Sequence, residues 1–249
     1  MFEIILIFLT GFISGIIGSM LGIGGGFIIV PLLVLFAGLP MHVAVGLSLT
    51  SIVMTSITSS SIYASKNLIN FKVALILETI TILGSITGSH IAIFIPENIL
   101  KIIFGIVLTY ASIKMIFPSH KLEEMEKNKF IGFLSSFFAG MASGMLGIGG
   151  GTLKVPIMVL LFGLPMKVAV GTSSFMIGLT ASAAAITYIA HGLVTPLIVS
   201  YMIIGIFLGV EIGCRITFKA KGPLLRRIFG IILTIFALRM LLSGLGVSL

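Results

Sequence analysis

LGIGGGFIIVPLLVLFAGLPMHVAVG, residues 21–46, returns as LGIGGGTLKVPIMVLLFGLPMKVAVG at residues 146–171. Eighteen of these 26 positions are identical, with no gap, at a constant offset of 125 residues. The same offset pairs Tyr63 with Tyr188, Gly84 with Gly209 and Gly88 with Gly213, and it lays LKIIFGIVLTYASIKM (100–115) over LRRIFGIILTIFALRM (225–240). Apolar segments resemble one another by chance, but chance does not hold one register across an entire half. The chain is therefore a tandem duplication. Its copies are residues 1–117 and 130–249, joined by PSHKLEEMEKNK (118–129), the one strongly charged stretch and hence a solvated connector.

Composition places both copies in a membrane. Of 249 residues, 58% are hydrophobic and 9% charged, against about 25% charged in soluble domains. Residues 4–21, 43–64, 73–95, 99–117 and 225–246 are apolar runs long enough to span a bilayer. The net charge of +8 does not indicate nucleic acid: the basic residues sit in short loops, without aromatic interleaving or a reading motif. A single cysteine, Cys214, rules out an internal disulfide. The N-terminus MFEIILIFLTGF has no basic leader region or cleavage site, so it reads as a retained first helix.

Each half divides into five apolar segments, in the first half roughly 3–21, 26–37, 43–64, 72–95 and 98–117. The breaks are GIGGG, GLPMH, KNLINFK and IPENILK. If the first two segments form a hairpin, twelve basic residues fall on one side of the membrane, and only Lys101, Lys154 and Arg239 fall elsewhere. A single net crossing would divide them nearly evenly, so the positive-inside rule selects the hairpin. An odd number of crossings per half then inserts the second copy upside down. The expected fold is an all-α integral membrane protein with eight to ten membrane segments in two inverted-topology repeats. Both termini lie outside and the connector is cytoplasmic. The glycine-broken hairpins either span fully or are re-entrant, since residues 26–37 are too short to cross comfortably.

Four glycines in five residues cannot continue a helix, because each costs about 1 kcal/mol against alanine there. Irregular backbone at membrane depth survives only against protein or a watery cavity. The helix that restarts after each GIGGG presents unpaired N–H groups and a positive dipole end, which favours anions. Gly24, Gly25 and Gly26, with Gly149, Gly150 and Gly151, are accordingly candidate substrate-binding residues. Close helix packing is the alternative use of glycine here, and it is the expected one for Gly11/Gly15, Gly84/Gly88, Gly140/Gly144 and Gly205/Gly209/Gly213.

The third segment of each copy is dense in hydroxyls, among them Ser48, Thr50, Ser51, Thr55, Ser173, Ser174 and Thr180. Ser48, Ser173 and Ser174 are candidates for lining the pathway, against interhelical packing. Ionisable groups at membrane depth are functional candidates, since each costs about 2.5–3.5 kcal/mol at a helix centre. Lys154 follows the second glycine run and replaces Ile29 of the first copy, making any shared site asymmetric. Glu78, equivalent to Ile203, is a candidate proton carrier. Glu211 and Arg215, spaced i and i+4, suit a structural ion pair, and His90 suits polar packing.

The pattern SMLGIGGGFIIVP…GLPMHVAVGLS, repeated as GMLGIGGGTLKVP…GLPMKVAVGTSS, resembles the sulfite exporter TauE/SafE family of membrane transporters over nearly the whole chain. The resemblance implies transport of sulfite, organosulfonates or related small sulfur-containing or carboxylate anions across the cytoplasmic membrane, through about eight spans. Leu47-Ser48 stands where the second copy has Thr172-Ser173-Ser174, which implies a weaker polar site in the first copy. The function expected is a secondary transporter working by alternating access, with proton coupling as an option. A passive anion channel or a non-transporting partner subunit is the alternative. The expected partners are the bilayer, a small anion and, optionally, a second copy of the chain. No cofactor, metal or nucleic acid is expected. Nor is an enzyme: there is no Asp, no His cluster and no nucleophile elbow.

Overall fold

The computed structural model describes residues 2–116, 129–160, 162–219 and 222–246. These form ten helices: α1 (Phe2–Leu21), α2 (Gly26–Leu35), α3 (Met41–Ala64), α4 (Phe71–Phe94), α5 (Glu97–Ile116), α6 (Lys129–Leu146), α7 (Gly151–Leu160), α8 (Met166–Ala190), α9 (Pro196–Lys219) and α10 (Gly222–Gly244). No strand occurs among the described residues. The expected connector lies, but for Lys129, outside them.

Helix ends follow from local chemistry. Gly38 and Gly163, at φ 64° and 65°, take the left-handed conformation that lets Leu39 N–H reach back to the Leu33 carbonyl and Leu164 N–H to that of Met158, each at 3.1 Å. Pro40 and Pro165 then open α3 and α8, and their carbonyls take the first bonds, from Ala44 and Ala169. Asn70 caps α4 by accepting from Val73 N–H at 3.1 Å.

Among the described residues, five helices are long and apolar enough to cross a membrane: residues 4–21, 41–64, 71–94, 166–190 and 196–217. Helices α2 and α7, at ten residues each, are about 15 Å long, half the thickness of a hydrocarbon core.

The packing has the polarity of a membrane protein. Helix α4 turns Ala74, Glu78, Thr81, Gly84, Ser85, Gly88 and Ser89 inward, while Leu75, Ile76, Leu83, Ile86, Ile91 and Phe94 are exposed. Small residues let backbones approach, and large apolar ones face outward, where lipid tails would solvate them. The glycine pairs serve this closeness. A methyl at Gly84 or Gly88 would strike the backbone of Phe137 or Met141, and one at Gly140 or Gly144 that of Thr81 or Ser85.

Contacts are reciprocal under the 125-residue offset. Helix α1 packs on α9 as α6 packs on α4, while α3 pairs with its equivalent α8, and α5 with α10. Gly15 abuts the carbonyl of Ile206, and its equivalent Gly140 abuts that of Thr81, the equivalent of Ile206. When residue i meets j and the copy of j meets the copy of i, the halves are related by an approximate two-fold.

Candidate functional site at the paired glycine breaks

Both breaks are built alike. Gly22 and Gly147, at φ 65° and 72°, end α1 and α6, and Ile23 N–H bonds the Gly18 carbonyl at 3.1 Å across the turn. Gly24 and Gly25 (φ 82° and 91°), like Gly149 and Gly150 (81° and 71°), continue in the left-handed region before α2 and α7 start. Side chains rarely adopt that conformation, so the glycines are required by backbone geometry. The Gly25 carbonyl receives Ile28 and Ile29 N–H at 2.9 and 3.1 Å, and the Gly150 carbonyl receives Lys154 N–H at 3.0 Å.

The two breaks face each other. A methyl at Gly26 would collide with the carbonyl of Gly147, and one at Gly151 with that of Gly22. These same carbonyls accept the cross-repeat hydroxyls: Ser48 Oγ donates to Gly147 at 2.7 Å and Ser173 Oγ to Gly22 at 2.8 Å. Tyr63 and Tyr188 make a matched bond within each copy, donating to the Ser19 and Gly144 carbonyls on the last turns of α1 and α6, each at 3.0 Å. Ser48 and Ser173, read from sequence as pathway candidates, thus have their donors engaged in tying one repeat's helix end to the other in this conformation.

Beside this centre lies a buried charge. Lys154, in the first turn of α7, is 1% exposed. Its ammonium donates to Glu78 Oε2 at 3.1 Å and to Thr180 Oγ1 at 2.5 Å, and the Thr180 hydroxyl donates to Glu78 Oε1. The three side chains come from α7, α4 and α8 and close a ring of hydrogen bonds. Neither charge reaches the surface, so snorkelling does not explain the lysine. Burial of two charges is tolerable because each is paired and further hydrogen-bonded. The sequence singled out Lys154 and Glu78 separately; the fold makes them one group, 76 residues apart in the chain.

The repeat equivalents of this ring are Ile29 and Thr55 of the first copy and Ile203 of the second. Ile29 is fully buried, and the buried Thr55 hydroxyl has no hydrogen-bond partner. Thr55 lines a narrow void with Gly18, Gly24, Ser56, Ser59, Ser174 and Ile177, too tight to admit a water-sized sphere. The Ser174 hydroxyl is also buried there without a partner, whereas Ser56 donates to the Ser174 carbonyl at 2.5 Å and Ser59 to that of Thr55 at 2.6 Å. Of the sequence candidates, then, Gly24 and Ser174 share this void, Gly25 and Gly26 begin α2 beside it, and Gly149 to Gly151 carry the chain into the Lys154 turn.

Sequence reading noted Thr55 and Thr180 among the hydroxyls without singling them out. Their signal was available: they are matched threonines at the repeat offset. Glu211 and Arg215 form an exposed pair at 2.5 Å. His90 is also exposed, its Nδ1 lying 2.9 Å from the Ile86 carbonyl of its own helix. Among the described residues no three His, Cys, Asp or Glu side chains are grouped to hold a metal.

Comparison with known proteins places this architecture. A family model described as Sulfite exporter TauE/SafE matches residues 7–240. A protein named "Probable membrane transporter protein" in Methanocaldococcus jannaschii is 34% identical, covering 95% of this chain and 95% of the relative. The "Probable membrane transporter protein YunE" of Bacillus subtilis is 28% identical over 98% of this chain and 99% of its own length. A "Probable membrane transporter protein" of Haemophilus influenzae is 28% identical over 96% and 98%. No solved structure matches. With the family pattern running through both copies and the relatives aligned end to end, the chain belongs to the sulfite exporter TauE/SafE family of membrane transporters.

Proposed function

We propose that this protein is a secondary transporter that carries a small anion, of the sulfite or sulfonate class, across the cell membrane by alternating access. The observation that carries the reading is the fully buried Lys154 in the first turn of a helix restarted at the glycine break. A cation there opposes the helix dipole, and the same dipole end with its free N–H groups suits an anion. Membership of the TauE/SafE family supports the sulfur-containing class. The close packing at the centre is compatible with an occluded form, in which neither face of the membrane has access.

In this reading residues 1–117 and 130–249 are oppositely inserted repeats with eight to ten membrane segments. The termini are outside and the connector is cytoplasmic. Reciprocal contacts and the distribution of basic residues support the arrangement. The substrate is held by Gly24, Gly25, Gly26 and Ser174 from one side and by Gly149, Gly150, Gly151 and Lys154 from the other. Ser48 and Ser173 join when the repeats move apart and release their hydroxyls, and Glu78 carries the coupling proton.

The test is flux in proteoliposomes with sulfite, thiosulfate, taurine and sulfoacetate. Saturable, gradient-driven movement of one of them is expected. Absence of any small-anion movement by correctly inserted protein refutes the reading, and non-saturable flux assigns a channel instead.

A further inference from the structure

The hydrogen-bonded ring at Lys154 has a form that suggests more than structural pairing. A carboxylate is a small oxyanion. Glu78 presents two oxygens, one held by the Lys154 ammonium and the other by the Thr180 hydroxyl. Two donors that hold a side-chain carboxylate in this way can hold a free oxyanion with the same atoms. We propose that Lys154 and Thr180 are a two-donor oxyanion site that Glu78 fills as an internal surrogate, and that protonation of Glu78 releases the site to substrate. This deepens, and rests on, the transport reading above.

Charge balance favours the exchange. In the unloaded ring a carboxylate neutralises the ammonium. In the loaded site a proton neutralises Glu78, and a monovalent substrate neutralises the ammonium. Both forms are net neutral, so neither leaves an uncompensated charge in a buried place. An anion arriving without a proton would confront two negative groups around one cation, and a proton arriving without an anion would strand the ammonium. Proton and anion therefore bind together, and the loaded site moves them in the same direction, one for one.

No other described ionisable group competes for this role. Helix α4 packs on α6 and α8. The other described ionisable side chains on α4 and α8 are Lys72, His90, Lys167 and Tyr188. The first three are exposed, and Tyr188 donates to the Gly144 carbonyl. Lys154 is the charged partner in contact with Glu78. Isoleucine stands at both equivalent positions, Ile29 in the first repeat and Ile203 in the second, so the two-fold supplies one such ring and not two.

The test is titration calorimetry on purified protein in detergent with methanesulfonate, an anion that carries no proton of its own near neutral pH. Paired buffers of different ionisation enthalpy count protons, and difference infrared spectra follow the Glu78 carboxyl. Wild type is expected to take up one proton per anion, to gain a protonated-carboxyl band, and to weaken about tenfold per pH unit above the Glu78 transition. Glu78→Gln is expected to bind without proton uptake and without pH dependence, and Lys154→Gln to lose saturable binding. Thr180→Val weakens binding and Thr180→Ser restores it, with proton uptake unchanged. Glu78→Ile with Lys154→Ile copies the equivalent residues Ile203 and Ile29; it folds and does not bind. Saturable wild-type binding without proton uptake, or uptake that persists in Glu78→Gln, overturns the inference and the coupling role of Glu78, and leaves anion transport itself standing. So does anion flux in proteoliposomes that ignores a pH gradient. If neither methanesulfonate nor sulfite, thiosulfate or acetate binds or moves, both readings fall.

Discussion

Two copies of one sequence make opposite choices at equivalent places. Around Thr180 the second-copy break carries a lysine, and α4 of the first copy supplies its glutamate. Around Thr55 the equivalent positions are Ile29 and Ile203, and the threonine hydroxyl is left unpartnered beside a narrow void. The backbone is shared down to the hydroxyl–carbonyl exchanges of Ser48 and Ser173. The difference teaches that equivalent backbone does not entail equivalent chemistry: the reciprocal contacts build the scaffold, and the side chains set on it differ. One charged ring stands at an otherwise symmetric centre. Two such rings would bury four charges, at several kcal/mol of desolvation each.

The largest effect tests the charged side. Lys154→Ala leaves Glu78 buried and uncompensated, with an expected loss of about 3–5 kcal/mol of stability. Adding Glu78→Ile should recover most of it, because the fold already carries isoleucine at both equivalent positions, Ile29 and Ile203. Thermal unfolding of the singles and the double in detergent gives the coupling energy. Additive losses would show that the pair is not the unit described here.

The threonines should then separate. Thr180→Val removes a donor to a buried carboxylate and is expected to cost about 1–3 kcal/mol. Thr55→Val removes a hydroxyl with no partner and is expected to be neutral or stabilising. The same melting experiment reads both. Equal costs would mean that the two sides are more alike than their bonding indicates.

The shared scaffold predicts parity. Ser48→Ala and Ser173→Ala each deprive a buried glycine carbonyl of its hydroxyl partner and should cost about 1 kcal/mol apiece, within error of each other. A clear inequality would break the two-fold description of the centre. The smallest effect lies at the surface: Glu211→Gln on the exposed i,i+4 pair should change stability by about 0–1 kcal/mol, with the effect fading in salt.

Much of the architecture could be read from residues alone. Glycine and proline punctuation located the breaks, so that expected segments 3–21, 26–37, 43–64, 72–95 and 98–117 correspond to α1–α5 within two residues. The glycine seams were readable because only a missing side chain lets backbones approach that closely. The joining of Lys154 to Glu78 was not. Each looked like an isolated charge, and nothing in a one-dimensional pattern brings α7 beside α4. Ser48 and Ser173 were found as matched positions, but their partners were not, since a hydroxyl in a span can equally bond its own helix.

The sequence by itself determined that the protein is a duplicated, helical membrane chain with a backbone break in each copy. Those properties depend on hydrophobicity, glycine freedom and register, all of which are local or periodic. Only the tertiary structure decided what the breaks and charges meet. It set Gly26 against Gly147, turned Ser48 and Ser173 into ties across the repeats, and closed Lys154, Thr180 and Glu78 into one ring. A buried charge has to find its partner wherever the fold places one, and that partner can lie at any distance along the chain.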